Sequence, residues 1–268
     1  FDINSLPDED IKIVFITHLL GLNSPVEKLK EKYPNAIFLE DICESHGVRA
    51  PDGPKRGRSG TGSTFSFYYG HHMTTIEGGI ISTDNELLYE LMKIKRSHGM
   101  ARLLSPPYYE EAINKHPKID PSFLFLTDGY NFRNTELNAV LGIEQLKRLD
   151  ENIETRRDNF KCFMEHLDPE LFYIPYNDPG NSSFAFPFVC KKPEDMLKLK
   201  TIFTELGVEY RPIVSGNLLL HPFLEKWKDS VDVPNANLLN DNGVYIGNNH
   251  FVTKDMIVKV FETIKNKW

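Results

Sequence analysis

The segment FSFYYGHHMTTIEGG, residues 65–79, places two adjacent histidines between an apolar stretch and a pair of glycines. Residues Thr64 to Tyr68 predict a strand, and a second strand, Ile80 to Thr83, follows the glycines. A loop held between strand ends is where site residues tend to lie. Imidazole offers proton transfer near neutral pH, so His71 and His72 are candidate site residues, although such pairs also satisfy backbone groups in ordinary loops.

Three further segments carry polar residues beside predicted elements. IFLEDICESHG, residues 37–47, ends a strand in acidic residues; RSHG, residues 96–99, ends a helix; and GYNFRNTEL, residues 129–137, precedes another helix. Taken alone, Asp41 is typical of a turn or a helix N-cap. Arginine and histidine before Gly99 are typical of a helix C-terminus. Their chemistry is therefore ambiguous when each segment is considered by itself.

Together the four segments resemble the DegT/DnrJ/EryC1/StrS sugar aminotransferases. The family patterns are F-S-F-x-x-x-K-x-x-x-x-x-E-G-G, E-D-x-x-Q/E-x-x-G, R-x-H-G and G-Y-N-x-R-x-x-E, and the resemblance covers nearly the whole chain. The family's lysine forms a Schiff base with pyridoxal phosphate, and its position falls on His71. A primary amine condenses with an aldehyde, whereas imidazole forms no stable imine. The exchange therefore predicts a different reaction class.

Within this family, histidine at that position is typical of 3-dehydratases that act on nucleotide-linked 4-keto-6-deoxyhexoses. The resemblance implies pyridoxamine phosphate as a cofactor that is not covalently bound, L-glutamate as amino donor to pyridoxal phosphate, and His71 as catalytic base and acid. The alternative enzyme is a nucleotide-sugar aminotransferase, which requires the missing lysine. The non-enzymatic alternative is a catalytically silent homologue.

The resemblance also implies which residues contact the cofactor. Asp41 matches an aspartate that bonds the protonated pyridine nitrogen, and Glu44 matches a polar position near the ring hydroxyl. Ser66 matches a serine that donates to the phosphate. Asn131 matches an asparagine that reaches the phosphate in the neighbouring subunit's site, so a homodimer with shared sites is expected.

Four more residues are candidates for contacts with the nucleotide sugar. His98 and Arg102 are candidates for substrate binding. Arg133 and Arg211 are candidates for the nucleotide diphosphate, because guanidinium groups suit phosphates. No metal site is predicted.

The predicted fold is α/β. The order of a strand at Ile11 to Thr17, a helix at Ser24 to Tyr33 and a strand at Ala36 to Leu39 indicates a parallel sheet. The resemblance implies the aspartate aminotransferase-like, type I fold of pyridoxal-phosphate enzymes. We expect a mostly parallel large domain, residues 1–150, and a long helix leading into a smaller α+β domain, residues 151–268. Relatives begin earlier, so N-terminal truncation and weakened cofactor binding are expected.

Periodicity also predicts the remaining elements. After the strand at Ile80 to Thr83, the chain should hold a helix at Asn85 to Ser97 and a loop at Ser105 to Pro121. One long helix at Asn134 to His166, bent near Asp150, should follow. The last segment should hold strands at Phe184 to Cys190 and Val208 to Arg211, and helices at Pro193 to Leu206 and Lys254 to Lys267.

Composition narrows the classes of function. The chain has 268 residues, 40% of them hydrophobic and 26% charged, which is enough to build a substantial core. A formal charge of −7 argues against nucleic-acid binding, and no apolar run approaches the roughly 20 residues of a membrane span. Three cysteines are too few for a four-thiolate iron–sulfur cluster and indicate reduced thiols in the cytoplasm.

Overall fold

The computed structural model describes residues 3–51, 53–175 and 180–268. Its first sheet contains, in spatial order, β1 (Ile13–Thr17), β2 (Ile37–Asp41), β3 (Gly62–Ser66) and β4 (Gly79–Ser82). The first three strands are parallel, and β4 runs antiparallel to β3. The register aligns Thr17 with Asp41 and Asp41 with Thr64, so the carboxyl ends of three strands meet at one edge. The predicted mostly parallel sheet is confirmed.

One face of this sheet is covered by helix α1 (Val26–Lys32). Val26 and Leu29 of the helix are buried against Ile16 of β1 and Phe38 of β2. The alternation that turns those side chains inward turns their neighbours outward, because successive strand residues point to opposite faces. The second face therefore exposes apolar side chains, namely those of Ile13, Phe15 and Ile37. Exposed apolar surface of this kind is typical of a contact region.

The predicted helix after β4 is present as α2 (Glu86–Lys95), and the Asn85 side chain caps it by accepting from the backbone N–H of Leu88 at 2.9 Å. The predicted loop at Ser105 to Pro121 is wrong, because it contains helix α3 (Pro106–Lys115). The predicted long helix is two helices, α4 (Glu136–Leu146) and α5 (Leu149–His166). They are separated at Arg148, whose φ of −111° and ψ of 1° are not helical.

The C-terminal part of the chain forms a second sheet. It contains β5 (Ala185–Val189), β7 (Gly243–Gly247) and β6 (Tyr210–Pro212), all antiparallel, with β7 in the centre. Helices α6 (Pro193–Glu205), α7 (Pro234–Asn242) and α8 (Lys254–Lys267) complete this part. Neither α7 nor the central strand was predicted as an element from the sequence.

The larger hydrophobic core lies between the second sheet and helices α5, α6 and α8. Phe163 of α5 is its centre, with ring centroids 5.0 Å from Phe186 and 5.1 Å from Phe188. Each such aromatic pair contributes about 1 kcal/mol beyond the burial of its area. Helix α8 presents Ile257, Val260, Phe261 and Ile264 to this core, the spacing of one helical face. Helix α5 belongs to this core, and it begins close to the predicted domain boundary at residue 150. The division of the chain into two domains stays a prediction.

None of the helices among the described residues is long and apolar enough to cross a membrane.

Candidate active site

The carboxyl edge of the first sheet brings together the acidic and hydroxyl groups that the sequence singled out. Asp41 ends β2, and its Oδ1 atom accepts a hydrogen bond from the backbone N–H of Cys43 at 2.9 Å, which orients the carboxylate. Ser66 ends the adjacent β3, and its Oγ atom accepts from the backbone N–H of Tyr68 at 3.2 Å. Both side chains are half-buried.

Glu44 lies in the turn after β2. Its Oε2 atom accepts a hydrogen bond from the backbone N–H of Leu20 at 2.9 Å, in the loop that follows β1. Burial raises the pKa of Glu44 and the negative charge of Asp41 acts in the same direction, whereas the bond from Leu20 lowers the pKa. The net effect is a raised pKa, so this carboxyl is protonated more readily than that of an exposed glutamate.

His71 lies on the loop between β3 and β4. Its ring makes edge contacts with Tyr68 and Phe184, at centroid distances of 5.6 and 5.7 Å. Its Nδ1 atom is buried and has no hydrogen-bond partner among the described residues. Burial lowers the pKa of His71 below 6.5, while the backbone of Ser66 and the charge of Asp41 oppose that shift. The imidazole is therefore held as the free base at neutral pH.

A second layer of basic side chains lies behind this loop. His46 is buried between Phe65, Phe67 and His72, with ring centroids 5.6 to 5.9 Å away, and neither of its ring nitrogens has a partner among the described residues. Burial lowers the pKa of His46 to about 4. Arg156 of α5 is also buried, donates to the backbone oxygen of Asn248, and has a pKa that burial lowers to about 10. A neutral His46 avoids a second buried charge beside this guanidinium.

The second sheet supplies the opposite wall. Arg211 of β6 is directly paired across the strands with Tyr245 of β7, and its Nη2 atom donates to Glu209 at 2.7 Å. Burial raises the pKa of Tyr245, and the charge of Glu44 adds to that effect. Arg211 also interacts electrostatically with Tyr68. Arg211 is therefore within electrostatic range of Tyr68, whose ring contacts His71.

Four predicted site residues lie together elsewhere. His98 donates its backbone N–H to the oxygen of Tyr130 at 2.7 Å, and Ser97 forms an isolated antiparallel bridge with Asn131. The side chain of Asn131 accepts from Nε of Arg133 at 3.1 Å. Asn131, Arg133 and Arg102 are exposed. Across residues 3–51, 53–175 and 180–268, no hydrogen bond or ion pair joins this group to Asp41, Glu44, Ser66, His71 or Arg211.

Helix α4 connects the two groups indirectly. Nδ2 of Asn138 donates to the backbone oxygens of Thr75 at 2.7 Å and Glu77 at 3.0 Å, on the loop that carries His71. The same helix begins directly after the segment that contains Asn131 and Arg133. The Asn138 side chain therefore joins the His71 loop to the helix that follows the exposed segment.

The loop that carries His71 offers no amine for a Schiff base. The sequence has no lysine between Lys55 and Lys93, and these two lysines form ion pairs with Asp150 and Glu90, respectively. In the part of the chain that the structure describes, no group of three or more histidine, cysteine or acidic side chains is arranged to hold a metal ion, and the three cysteines are unpaired.

A mostly parallel sheet with an aspartate, a serine and a histidine at its carboxyl edge, facing a smaller antiparallel sheet, defines the aspartate aminotransferase-like class of pyridoxal-phosphate folds. The sequence profile of the DegT/DnrJ/EryC1/StrS aminotransferase family matches residues 3–265. The chain belongs to this family, as the sequence predicted.

Known relatives include GDP-4-keto-6-deoxy-D-mannose 3-dehydratase of Escherichia coli, which is 32% identical over 275 residues, covering 98% of this chain and 71% of the relative. A solved mutant of GDP-4-keto-6-deoxymannose-3-dehydratase with bound GDP-perosamine superposes with a TM-score of 0.85 and 31% identity, covering 97% of this chain and 69% of that one. A structure of that dehydratase with a trapped PLP-glutamate geminal diamine has a TM-score of 0.80 and 31% identity, covering 94% and 67%. The fold class is confirmed.

Sequence reasoning missed several residues of the cleft. Phe184 directly precedes the second sheet and Tyr245 belongs to it. Both are more than 110 residues from His71, so no local pattern could connect them with it. Tyr68 was part of the quoted segment, and its position three residues before His71 on a turn was a usable signal.

Proposed function

We propose that the chain is a pyridoxamine-phosphate-dependent 3-dehydratase of a nucleotide-linked 4-keto-6-deoxyhexose. The observation that carries the proposal is His71, which stands at the family's lysine position and lies at the carboxyl edge of the sheet, on a loop that contains no lysine. The relatives described above, whose names state this reaction, support the proposal. GDP-4-keto-6-deoxymannose is therefore the substrate to test first.

The residues of the cleft fit the cofactor. The Asp41 carboxylate suits the protonated pyridine nitrogen, the Ser66 hydroxyl suits the phosphate, and the Glu44 carboxyl suits the ring hydroxyl. The Nδ1 atom of His71 is a buried polar atom that no atom of the described residues satisfies, so it is available to a ligand. When bound, the cofactor supplies an electron sink conjugated to C4 of the sugar.

The proposed work of His71 is proton transfer. Because burial keeps its pKa below 6.5, the free imidazole can accept a proton at one ring nitrogen near neutral pH. The resulting imidazolium can return that proton to the oxygen that leaves from C3 of the sugar. A lysine held in a Schiff base could not do both steps, since its nitrogen would be committed to the cofactor.

The remaining roles belong to the same proposal. Arg211 and Arg133 are proposed to contact the nucleotide diphosphate. His98 and Arg102 are proposed substrate contacts, and Asn131 is proposed to bind the cofactor phosphate of a second copy. The separation of Asn131 from Asp41 and His71 within one chain supports a homodimer with shared sites. L-glutamate as amino donor and a cytoplasmic location complete the proposal.

The test is an absorbance and product assay. The purified chain is incubated with pyridoxal phosphate and L-glutamate, and then with GDP-4-keto-6-deoxymannose. The expected result is conversion of the aldehyde form of the cofactor to its amine form, release of 2-oxoglutarate and ammonia, and a sugar that has lost its C3 oxygen by mass spectrometry. His71→Asn should keep the first conversion measurable and abolish loss of the C3 oxygen.

The alternatives give different results in the same assay. A nucleotide-sugar aminotransferase would transfer the amine to C4 and leave the C3 oxygen in place. A catalytically silent homologue would leave the cofactor in its aldehyde form. Either outcome would overturn the proposed dehydratase.

A further inference from the structure

His72, the second histidine of the pair, is fully buried and is not used by the proposed chemistry. Its Nε2 atom lies 2.7 Å from the backbone oxygen of Ser182 and 3.1 Å from the Ser182 hydroxyl. A carbonyl oxygen can only accept, so His72 must carry a proton on Nε2. The Ser182 hydroxyl in turn donates to the backbone oxygen of His46 at 2.6 Å.

The segment that receives this bond is held from several sides. Ser182 donates its backbone N–H to Gly21 at 2.9 Å, and Phe184 donates to Leu20 at 2.9 Å, so residues 182–184 are joined to the loop after β1. The same segment leads directly into β5 of the second sheet. His72 therefore joins the loop of the first sheet to the entrance of the second.

This connection bears directly on the geometry of His71. The ring of Phe184 contacts His71 with a centroid distance of 5.7 Å and His72 with one of 6.2 Å. His71 is held by its backbone N–H, which donates to Tyr68, and by an interaction of its ring with the backbone of Ser66, while its Nδ1 atom has no partner among the described residues. The direction of the His71 ring thus depends on the groups around it.

We propose that His72 is a positioning residue, whose Nε2–H bond to Ser182 holds the His71 ring between Tyr68 and Phe184. The expected effect of His72 on catalysis rests on the proposed function, whereas its expected effect on the His71 ring concerns only this chain. The competing explanation is that His72 fills space in the interior without directing His71.

The charge environment agrees with this role. Burial lowers the pKa of His72 well below 6.5, and the nearby Arg156, His46 and His71 act in the same direction, whereas the bond to Ser182 opposes them. The ring is therefore neutral under working conditions, and its single ring proton is available for the Ser182 oxygen.

The experiment compares three variants. His72→Leu removes the donor, His72→Gln replaces Nε2–H with an amide N–H at similar reach, and Ile257→Val in the distant C-terminal core controls for a general loss of stability. In the cofactor-free chain, NMR follows the titration of the His71 ring. We expect His72→Leu to shift the His71 titration towards the value of an exposed histidine, His72→Gln to restore it, and Ile257→Val to leave it unchanged.

The loaded enzyme provides the second measurement. We expect His72→Leu to lower kcat by roughly tenfold to a hundredfold, the range for misplacing a catalytic group, with a much smaller change in the KM for the nucleotide sugar. His72→Gln should restore most of kcat. An inactive wild type with the expected NMR shifts would refute the proposed function and leave the positioning role intact.

Loss of stability without any change at His71 would overturn the positioning role. If His72→Leu loses stability as Ile257→Val does but keeps the wild-type His71 titration and kcat, His72 only fills space. If His72→Leu does not fold, His72→Asn, whose amide is too short to reach Ser182, replaces it in the comparison with His72→Gln. Failure of all His72 variants to fold would assign the residue to stability alone and equally overturn the proposal.

Discussion

Replacing His46 with phenylalanine should make the folding stability less sensitive to acid between pH 6.5 and about pH 4. His46 is 4% exposed, lies against three aromatic or imidazole rings, and has no hydrogen-bond partner among the described residues. Burial lowers its pKa from 6.5 to about 4. Phenylalanine keeps a ring of similar size in this site and removes the titrating group.

The sign and the size of the effect follow from proton linkage. Below pH 6.5 the unfolded chain binds a proton at residue 46 that the native chain does not, so acid favours unfolding, and above pH 6.5 the two states bind equally. The difference between 6.5 and about 4, at about 1.4 kcal/mol per pKa unit, corresponds to roughly 3 kcal/mol over the whole range. At pH 5 roughly 2 kcal/mol of this loss should have occurred.

Urea unfolding at several pH values between 7.5 and 4.5 would measure the effect as the slope of unfolding free energy against pH. Wild type should show the steeper slope, and His46→Phe a slope smaller by up to about 1.4 kcal/mol per pH unit. His116→Phe, which removes an exposed histidine, controls for the change in net charge. Parallel curves for wild type and His46→Phe would refute the reasoning, because they would show that His46 titrates alike in both states.

Three other perturbations test separate parts of the structure. His71→Lys should bond covalently to pyridoxal phosphate, detected by mass spectrometry after borohydride reduction, and should lose dehydration; full dehydration would remove His71 from its role. Mixing inactive Asn131→Ala with inactive His71→Asn should restore about a quarter of the wild-type sites if sites are shared in a homodimer, whereas no recovery, or a monomer in light scattering, would contradict that assembly. Gly99→Ala should lower Tm far more than Gly207→Ala. Both glycines have positive φ, but a Cβ at Gly99 would lie 1.8 Å from the oxygen of Thr127 and one at Gly207 meets nothing within 4 Å.

Local patterns were sufficient for most of the first sheet and its following helix. Apolar runs placed β1 and β2 within two residues of their observed bounds, and apolar periodicity placed α2 within two. Asp41, Glu44, Ser66 and His71 do lie at or beside one edge of the first sheet, although their roles stay predictions. These predictions succeeded because each element is short and is determined by residues that are close in sequence.

The errors have physical causes that differ from one element to the next. Prolines at 106 and 107 suggested a loop, yet proline is favoured in the first turn of a helix, and Ala112 of that helix is buried against Ala101 and Leu124. The continuous apolar periodicity from 134 to 166 concealed a two-residue break, because helix α5 resumes at once. The cleft wall formed by Phe184 and Tyr245 depends on long-range packing and has no local signature.

The way the His71 loop is fastened has an evolutionary consequence. His72, Thr75 and Asn138 hold this loop through contacts that do not involve the His71 side chain. A mutation at residue 71 can therefore exchange one reactive group for another without dismantling the surrounding scaffold. The contacts that hold the loop are therefore separate from the side chain that reacts. This separation allows one ancestral fold to acquire new reactions through very few substitutions.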